Sequence, residues 1–238
     1  MGSIEVSEKD GVRYLHFGSE LVQGAMRVAR PWSLELEYTR EMMLPLLLAP
    51  RRGWPRRVLQ VGLGAASFTR VLHRHCPGTR LTVIEIDPAV VAAARQFFRL
   101  PEPSPRLAIE VGDAHGWLAA TKRRFDLILV DGFDAEGNAG MLETVPFYLN
   151  CRSRLNPDGM LAANLLTRRR SVGPVLRRLR EAFEGRVVAL PPCGAGNTVV
   201  LASADRDLAL DPAALRERAA RLARETGLDL APTLARLA

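Results

Sequence analysis

Three carboxylates fall within six residues in "LVDGFDAEG": Asp131, Asp134 and Glu136. Acids grouped so closely can hold a cationic amine, and one of them can take a proton from it. The competing reading is that Asp131 caps a loop or a helix start. Upstream, "VLQVGLGAAS" runs from an apolar stretch into a turn with small residues at Gly62, Gly64 and Ala66. A dinucleotide loop wants G-x-G-x-x-G/A. Ser67 holds the sixth position here, so the G-x-G-x-A order suits a nucleoside better than NAD. Glu85 closes the run "TVIEI" and can accept from both hydroxyls of a ribose, with Asp87 as the alternative. In "VGDAHGW", Asp113 is placed to accept from an adenine amino group. Each signal is weak alone, and each acid could instead cap a helix. Together they outline a nucleoside pocket with an acidic end.

Those residues can meet only if the chain brings them to one edge. Apolar runs of strand length ("RVLQVG", "RLTVIEID", "RLAIEVGD", "FDLILVDGF", "GMLAANLL") alternate with helical stretches at 67–75, 88–98, 115–122 and 144–155. Continuously apolar strands alternating with helices require a sheet covered on both faces. The pattern predicts an α/β fold: a doubly wound, Rossmann-like sheet, mostly parallel, whose ligands sit at the carboxyl ends of its strands. After a helix at 172–183, "RVVAL" and "NTVVLASA" predict an antiparallel edge. Before the sheet, short β runs broken by Gly11, Gly18 and Gly24 predict a small N-terminal hairpin region. "SLELEYTREMMLPLLL" follows it as a helix, with Ser33 as the candidate N-cap. At the other end, Asp211 and Pro212 read as N-cap and N1 of a tail helix. The predicted organisation is a hairpin region plus helix over 1–53, a nucleoside-binding domain over 54–205 and a helical tail over 206–238.

With 238 residues, 47% of them hydrophobic, the chain suits one main domain. No apolar run reaches the roughly 18 residues that span a bilayer. Glu5, Glu8, Lys9 and Asp10 stand where a signal peptide needs an apolar core, so a cytoplasmic protein without membrane contact is expected. Cys76, Cys151 and Cys193 have no disulfide or zinc spacing, and no metal is expected. The net charge of +7 is almost wholly arginine, grouped at Arg51/Arg52/Arg56/Arg57 and Arg168/Arg169/Arg170 without interleaved aromatics. That favours solvated surface arginines over a nucleic-acid surface.

The segment 125–166, with its D-x-x-D pair, Leu142, Phe147-Tyr148, Leu155 and Asp158-Gly159, resembles the spermidine synthases and their relatives, the polyamine aminopropyltransferases. The resemblance reaches back through "GDAHGWL", "VIEIDPAVV" and the glycine loop to "QGAM" and "LEYTREMM". It implies a class I methyltransferase-like domain behind a small β domain, usually a dimer or tetramer, so a homodimer is expected. It also implies S-adenosylmethionine or its decarboxylated form as co-substrate and a small-molecule amine as acceptor. By resemblance Gly62, Gly64, Ala65, Glu85, Asp87, Asp113 and Ala114 surround the nucleoside. Asp131 would be the base, Asp134 and Tyr38 would orient the acceptor, and Gln23, Glu136 and Tyr148 would complete its site.

Three motifs depart from the family. Its G-G-G-D-G-G loop carries Ala65 at the acid's position, its Tyr-His-Glu element reads Tyr38-Thr39-Arg40, and its D-S-S-D-P reads Asp131-Gly132-Phe133-Asp134-Ala135. Without the loop acid, the undecarboxylated cofactor is expected to be preferred, since helix N-terminal N–H groups suit its carboxylate. Two other functions compete. One is a methyltransferase, for which Arg40 would favour an acidic or phosphorylated substrate. The other is a non-catalytic nucleoside- or RNA-binding module.

Overall fold

The computed structural model describes residues 3–49, 51–167, 171–194 and 196–236; Arg168 to Arg170 therefore lie outside the described residues. The chain opens with a three-stranded antiparallel sheet, β1 (Ile4–Lys9), β2 (Val12–Phe17) and β3 (Gly24–Arg27), one strand more than a hairpin. The long helix expected next shrinks to α1 (Glu37–Glu41) and a short 3-10 turn at Leu44–Leu46. Pro45 explains the break, because it lacks an N–H and its ring collides with the preceding turn of an α-helix. Ser33 is not the cap. Its hydroxyl donates to the Arg30 carbonyl (2.7 Å), and Leu36 occupies the N-cap position.

The main unit then alternates as its pattern predicts: β4 (Arg57–Val61), α2 (Ser67–His75), β5 (Arg80–Glu85), α3 (Pro88–Phe97), β6 (Leu107–Val111), α4 (Ala114–Ala120), β7 (Phe125–Val130), α5 (Val145–Ser153) and β8 (Leu155–Leu166). After α6 (Gly173–Ala182), β9 (Val187–Ala189) and β10 (Asn197–Ser203) complete a seven-stranded sheet of order β6-β5-β4-β7-β8-β10-β9. The first five strands run parallel, while β10 is antiparallel to both β8 and β9. Strand order reverses direction between β4 and β7. That reversal opens a crevice at the carboxyl ends of the two strands.

The sheet divides the core by its period of two. On one face Val58, Leu127 and Leu129 join Val71, Val90 and Leu215; on the other Leu59, Ile128 and Val130 join Leu118, Phe147 and Leu179. α7 (Pro212–Thr226) starts as expected, with Asp211 accepting from the N–H groups of Ala213 and Ala214. It packs Leu215 and Ala219 into the first face, and α8 (Ala231–Leu234) follows it. Beyond α8, Arg236 ties the tail to α1. Its Nη1 lies 2.5 Å from Glu37 and its Nε 3.3 Å from Glu41, a wholly buried carboxylate. Among the described residues no helix is long and apolar enough to cross a membrane.

Candidate active site

β4 and β7 can end side by side only because residue 62 is glycine. Gly62 has φ +84°, and a Cβ there would lie 2.1 Å from the Asp131 carbonyl oxygen. The approach is held by the Asp131 N–H donating to the Val61 carbonyl (2.9 Å) and the Gly62 N–H to that of Ile84 (2.9 Å). Glu85, at the end of β5, braces the loop that follows. One carboxylate oxygen accepts from the Leu63 N–H (2.7 Å) and the other from the Asp87 N–H (3.0 Å). Burial pushes the Glu85 carboxyl upward, partly offset by those bonds. Asp87 caps α3 by accepting from Ala89 (2.8 Å), and Asp113 caps α4 by accepting from His115 (3.2 Å) and Gly116 (2.7 Å). Capping and pocket lining coincide, since both acids also face the cleft.

The acidic end is organised around Asp131. Its Oδ2 accepts from the Tyr38 hydroxyl on α1 (3.2 Å) and its Oδ1 from the Asn164 amide on β8 (2.8 Å). The Asn164 oxygen accepts in turn from the Asn197 amide on β10 (2.9 Å). Burial pushes the Asp131 carboxyl up to about 6, against the downward pull of Asn164 and Tyr38. Burial, reinforced by Asp131, raises the Tyr38 phenol well above its ordinary range. Neither asparagine figured in the sequence reading. The signal was available in "GMLAANLL", because a polar side chain in a fully apolar central strand must find a partner.

The other candidates take different positions. Asp134 spends its carboxylate on its own loop, accepting from Glu136 N (3.0 Å), Asn138 N (2.7 Å) and Asn138 Nδ2 (3.1 Å). Desolvation acts upward on it, but the Asn138, Glu136 and Gly137 bonds outweigh that and lower its pKa. Its geometry is that of a turn organiser at the rim. Gln23 donates from Nε2 to the Asp134 carbonyl (3.3 Å), and Ser19 from Oγ to that of Ala135 (3.1 Å), so the β2–β3 loop is joined to the loop after β7. Tyr148 does not line the cleft; it is buried in the core, its ring centroid 5.9 Å from that of Phe147. Arg40 also points elsewhere, donating to the carbonyls of Leu34 (2.8 Å) and Glu35 (3.0 Å). Ala65 lies in the cleft wall, packed with Leu15, Met26 and Phe98. β3 crosses so close that a Cβ on Gly24 would stand 2.6 Å from the Ala65 methyl.

The cleft encloses about 1230 Å³. Glu20 and Glu136 join the five acids already named in lining it, and among the described residues no Arg, Lys or His does so. A chain with a net charge of +7 thus concentrates negative charge in this cleft. Low-dielectric walls focus such a field on a cation.

A spermine/spermidine synthase domain matches residues 36–194. The chain belongs to this family. A polyamine aminopropyltransferase of Neisseria meningitidis serogroup A is 36% identical over 236 residues, spanning 98% of this chain and 88% of that protein. Two solved structures bear out the fold. A probable spermidine synthase from Corynebacterium glutamicum superposes with a TM-score of 0.76 at 23% identity, covering 91% of this chain and 83% of the other. Human methyltransferase-like protein 13, solved with SAH, gives 0.65 at 22% identity, covering 84% and 93%. The spermine/spermidine synthase match begins at Leu36, so the three-stranded N-terminal sheet lies outside it while Tyr38, Glu85 and Asp131 fall within.

Proposed function

We propose that this protein transfers an aminopropyl group from decarboxylated S-adenosylmethionine to a small-molecule amine. The observation that carries the reading is the cleft lined by carboxylates and, among the described residues, by no basic side chain. Decarboxylated S-adenosylmethionine and a polyamine are cations throughout, whereas an undecarboxylated cofactor would bring its carboxylate among acids. This reverses the preference expected from Ala65. The missing loop acid leaves a site still rich in negative charge, and the position itself is taken up in packing against β3.

In this reading Glu85 holds the ribose, and Asp113 with Ala114 holds the adenine. Asp131 takes the proton. As the amine lone pair forms its new C–N bond, the C–S bond breaks, its electron pair stays on sulfur as a neutral thioether, and the amine proton passes to Asp131. A sulfonium is already a good leaving group, so alignment supplies most of the acceleration and a positioned base about 10²–10⁴-fold. Tyr38 and Asn164 each occupy one Asp131 oxygen, which fixes the carboxylate's plane. A pKa of about 6 leaves Asp131 ionised at neutral pH and close enough to it to accept a proton.

The test supplies putrescine with either cofactor form. Spermidine and 5′-methylthioadenosine should appear with the decarboxylated form. Methyl transfer with S-adenosylhomocysteine as product, and no 5′-methylthioadenosine, would overturn the assignment. No observation favours the methyltransferase beyond the shared fold, and an acid-lined cleft repels the phosphates of an RNA.

A further inference from the structure

We infer that Asn197 is a positioning residue that sets the polarity of the hydrogen-bond chain ending on Asp131, and so keeps the base ionised. The inference rests on the reading of Asp131 as the base.

β8 and β10 are antiparallel with Val199 opposite Asn164, so Asn197 sits two residues along, diagonal to Asn164 on the same face. Both side chains are buried. Beside a carboxyl group, the Asn164 amide alone could present either end: its NH₂ to an ionised Asp131, or its oxygen to a protonated one. Asn197 removes the choice. By donating to the Asn164 oxygen (2.9 Å) it occupies the acceptor end and turns the NH₂ onto Asp131 (2.8 Å). Asn197 is itself held at the start of β10, where its carbonyl accepts from the Cys193 N–H (2.8 Å) and its side-chain oxygen lies 4.0 Å from Cys193 Sγ. The donors therefore run in one direction, from Cys193 through Asn197 and Asn164 to Asp131. A donor aimed at a carboxylate favours its charged form and opposes the effect of burial.

The other titratable groups around Asp131 cannot replace that donor. Tyr38 on α1 already donates to the second oxygen. Cys193 reaches Asp131 through Asn197 and through its field on Tyr38, and donates to neither Asp131 oxygen. Glu85, Asp87 and Asp113 from the ends of β5 and β6, Asp134 and Glu136 from its own loop, and Glu20 from the β2–β3 loop line the same cleft and are all acids, which as carboxylates have no proton to donate.

The experiment titrates the Asp131 carboxyl by ¹³C NMR, assigned with D131N, in wild type, N197L and N197D. Leucine matches asparagine in size without a donor. Aspartate keeps its shape and as a carboxylate can only accept, which draws the Asn164 NH₂ to itself and leaves the Asn164 oxygen facing Asp131. The midpoint should rise by up to roughly one pH unit in N197L and further in N197D. The acid limb of kcat/KM should move with it while KM for the nucleoside stays unchanged. Should N197L fail to fold, N197D decides. A midpoint unmoved in the folded variants, or a kcat loss equal at every pH, overturns the inference. If the midpoints move in that order but wild type makes no aminopropyl product, the positioning stands and the proposed function falls.

Discussion

Replacing Asp131 with Asn should sharply lower activity and make the protein more stable, and the second effect can be worked from the structure. Burial raises the carboxyl from an ordinary 3.8 to about 6. A raised acid pKa means that the folded state binds the proton more tightly than the unfolded chain. The stabilising contribution is therefore fully present below pH 4 and is lost as pH climbs through 6. Two pKa units correspond to about 3 kcal/mol that the ionised carboxylate costs the fold above pH 6. Asparagine carries no such cost, and it can still accept from Asn164 while donating to the Tyr38 oxygen. D131N should then gain about 1–3 kcal/mol at pH 8, or roughly 2–12 °C in Tm for a domain of this size, and almost nothing at pH 4. Urea unfolding at pH 4, 6 and 8 reads the difference directly. A D131N protein no more stable than wild type at pH 8, or a gain independent of pH, would refute the reasoning. Turnover should fall by about 10²–10⁴, the share of a positioned base.

G62A must separate β4 from β7, because no Cβ fits 2.1 Å from a carbonyl oxygen; thermal melts should show a loss of about 3 kcal/mol or more, and any folded fraction should be inactive. R236A leaves Glu41 buried without its cation and should cost about 3–5 kcal/mol at pH 8. Burial already raises Glu41, and losing Arg236 raises it further, so the deficit in denaturant midpoint should shrink at pH 4.5 as Glu41 takes a proton. A65D should fail to improve binding of decarboxylated S-adenosylmethionine by calorimetry and should lower Tm, since residue 65 is packed against β3 and cannot hydrate a new charge.

The parts of this protein that were legible in its sequence are those fixed by local pattern. Runs such as "FDLILV" are buried at every position and apolar at all but Asp126 because both faces of a central strand are covered, and α2 follows the glycine loop at the residues its spacing suggests. The acids at the strand ends were legible as well, since a doubly wound sheet delivers its carboxyl ends to one crevice. The reading was less complete where a residue's partners lie far along the chain. Nothing near Asp134 announces that Asn138 will take up both its oxygens, and nothing near Tyr148 tells the core face of α5 from the cleft face. Asn164 and Asn197 lie 33 residues apart, and only the antiparallel register of β8 against β10 makes them neighbours. The same long-range geometry changes the meaning of Ala65. Its motif reads as a loop that has lost an acid, whereas the fold shows β3 crossing that loop so closely that the methyl is a packing residue. The negative charge of the site is supplied from five other segments, Glu20 on the β2–β3 loop, the ends of β5 and β6, Asp131 after β7, and the turn at 134–136. Distributed in this way, the charge can draw a cation without depending on any one loop position, and so the cleft rather than the motif predicts what binds.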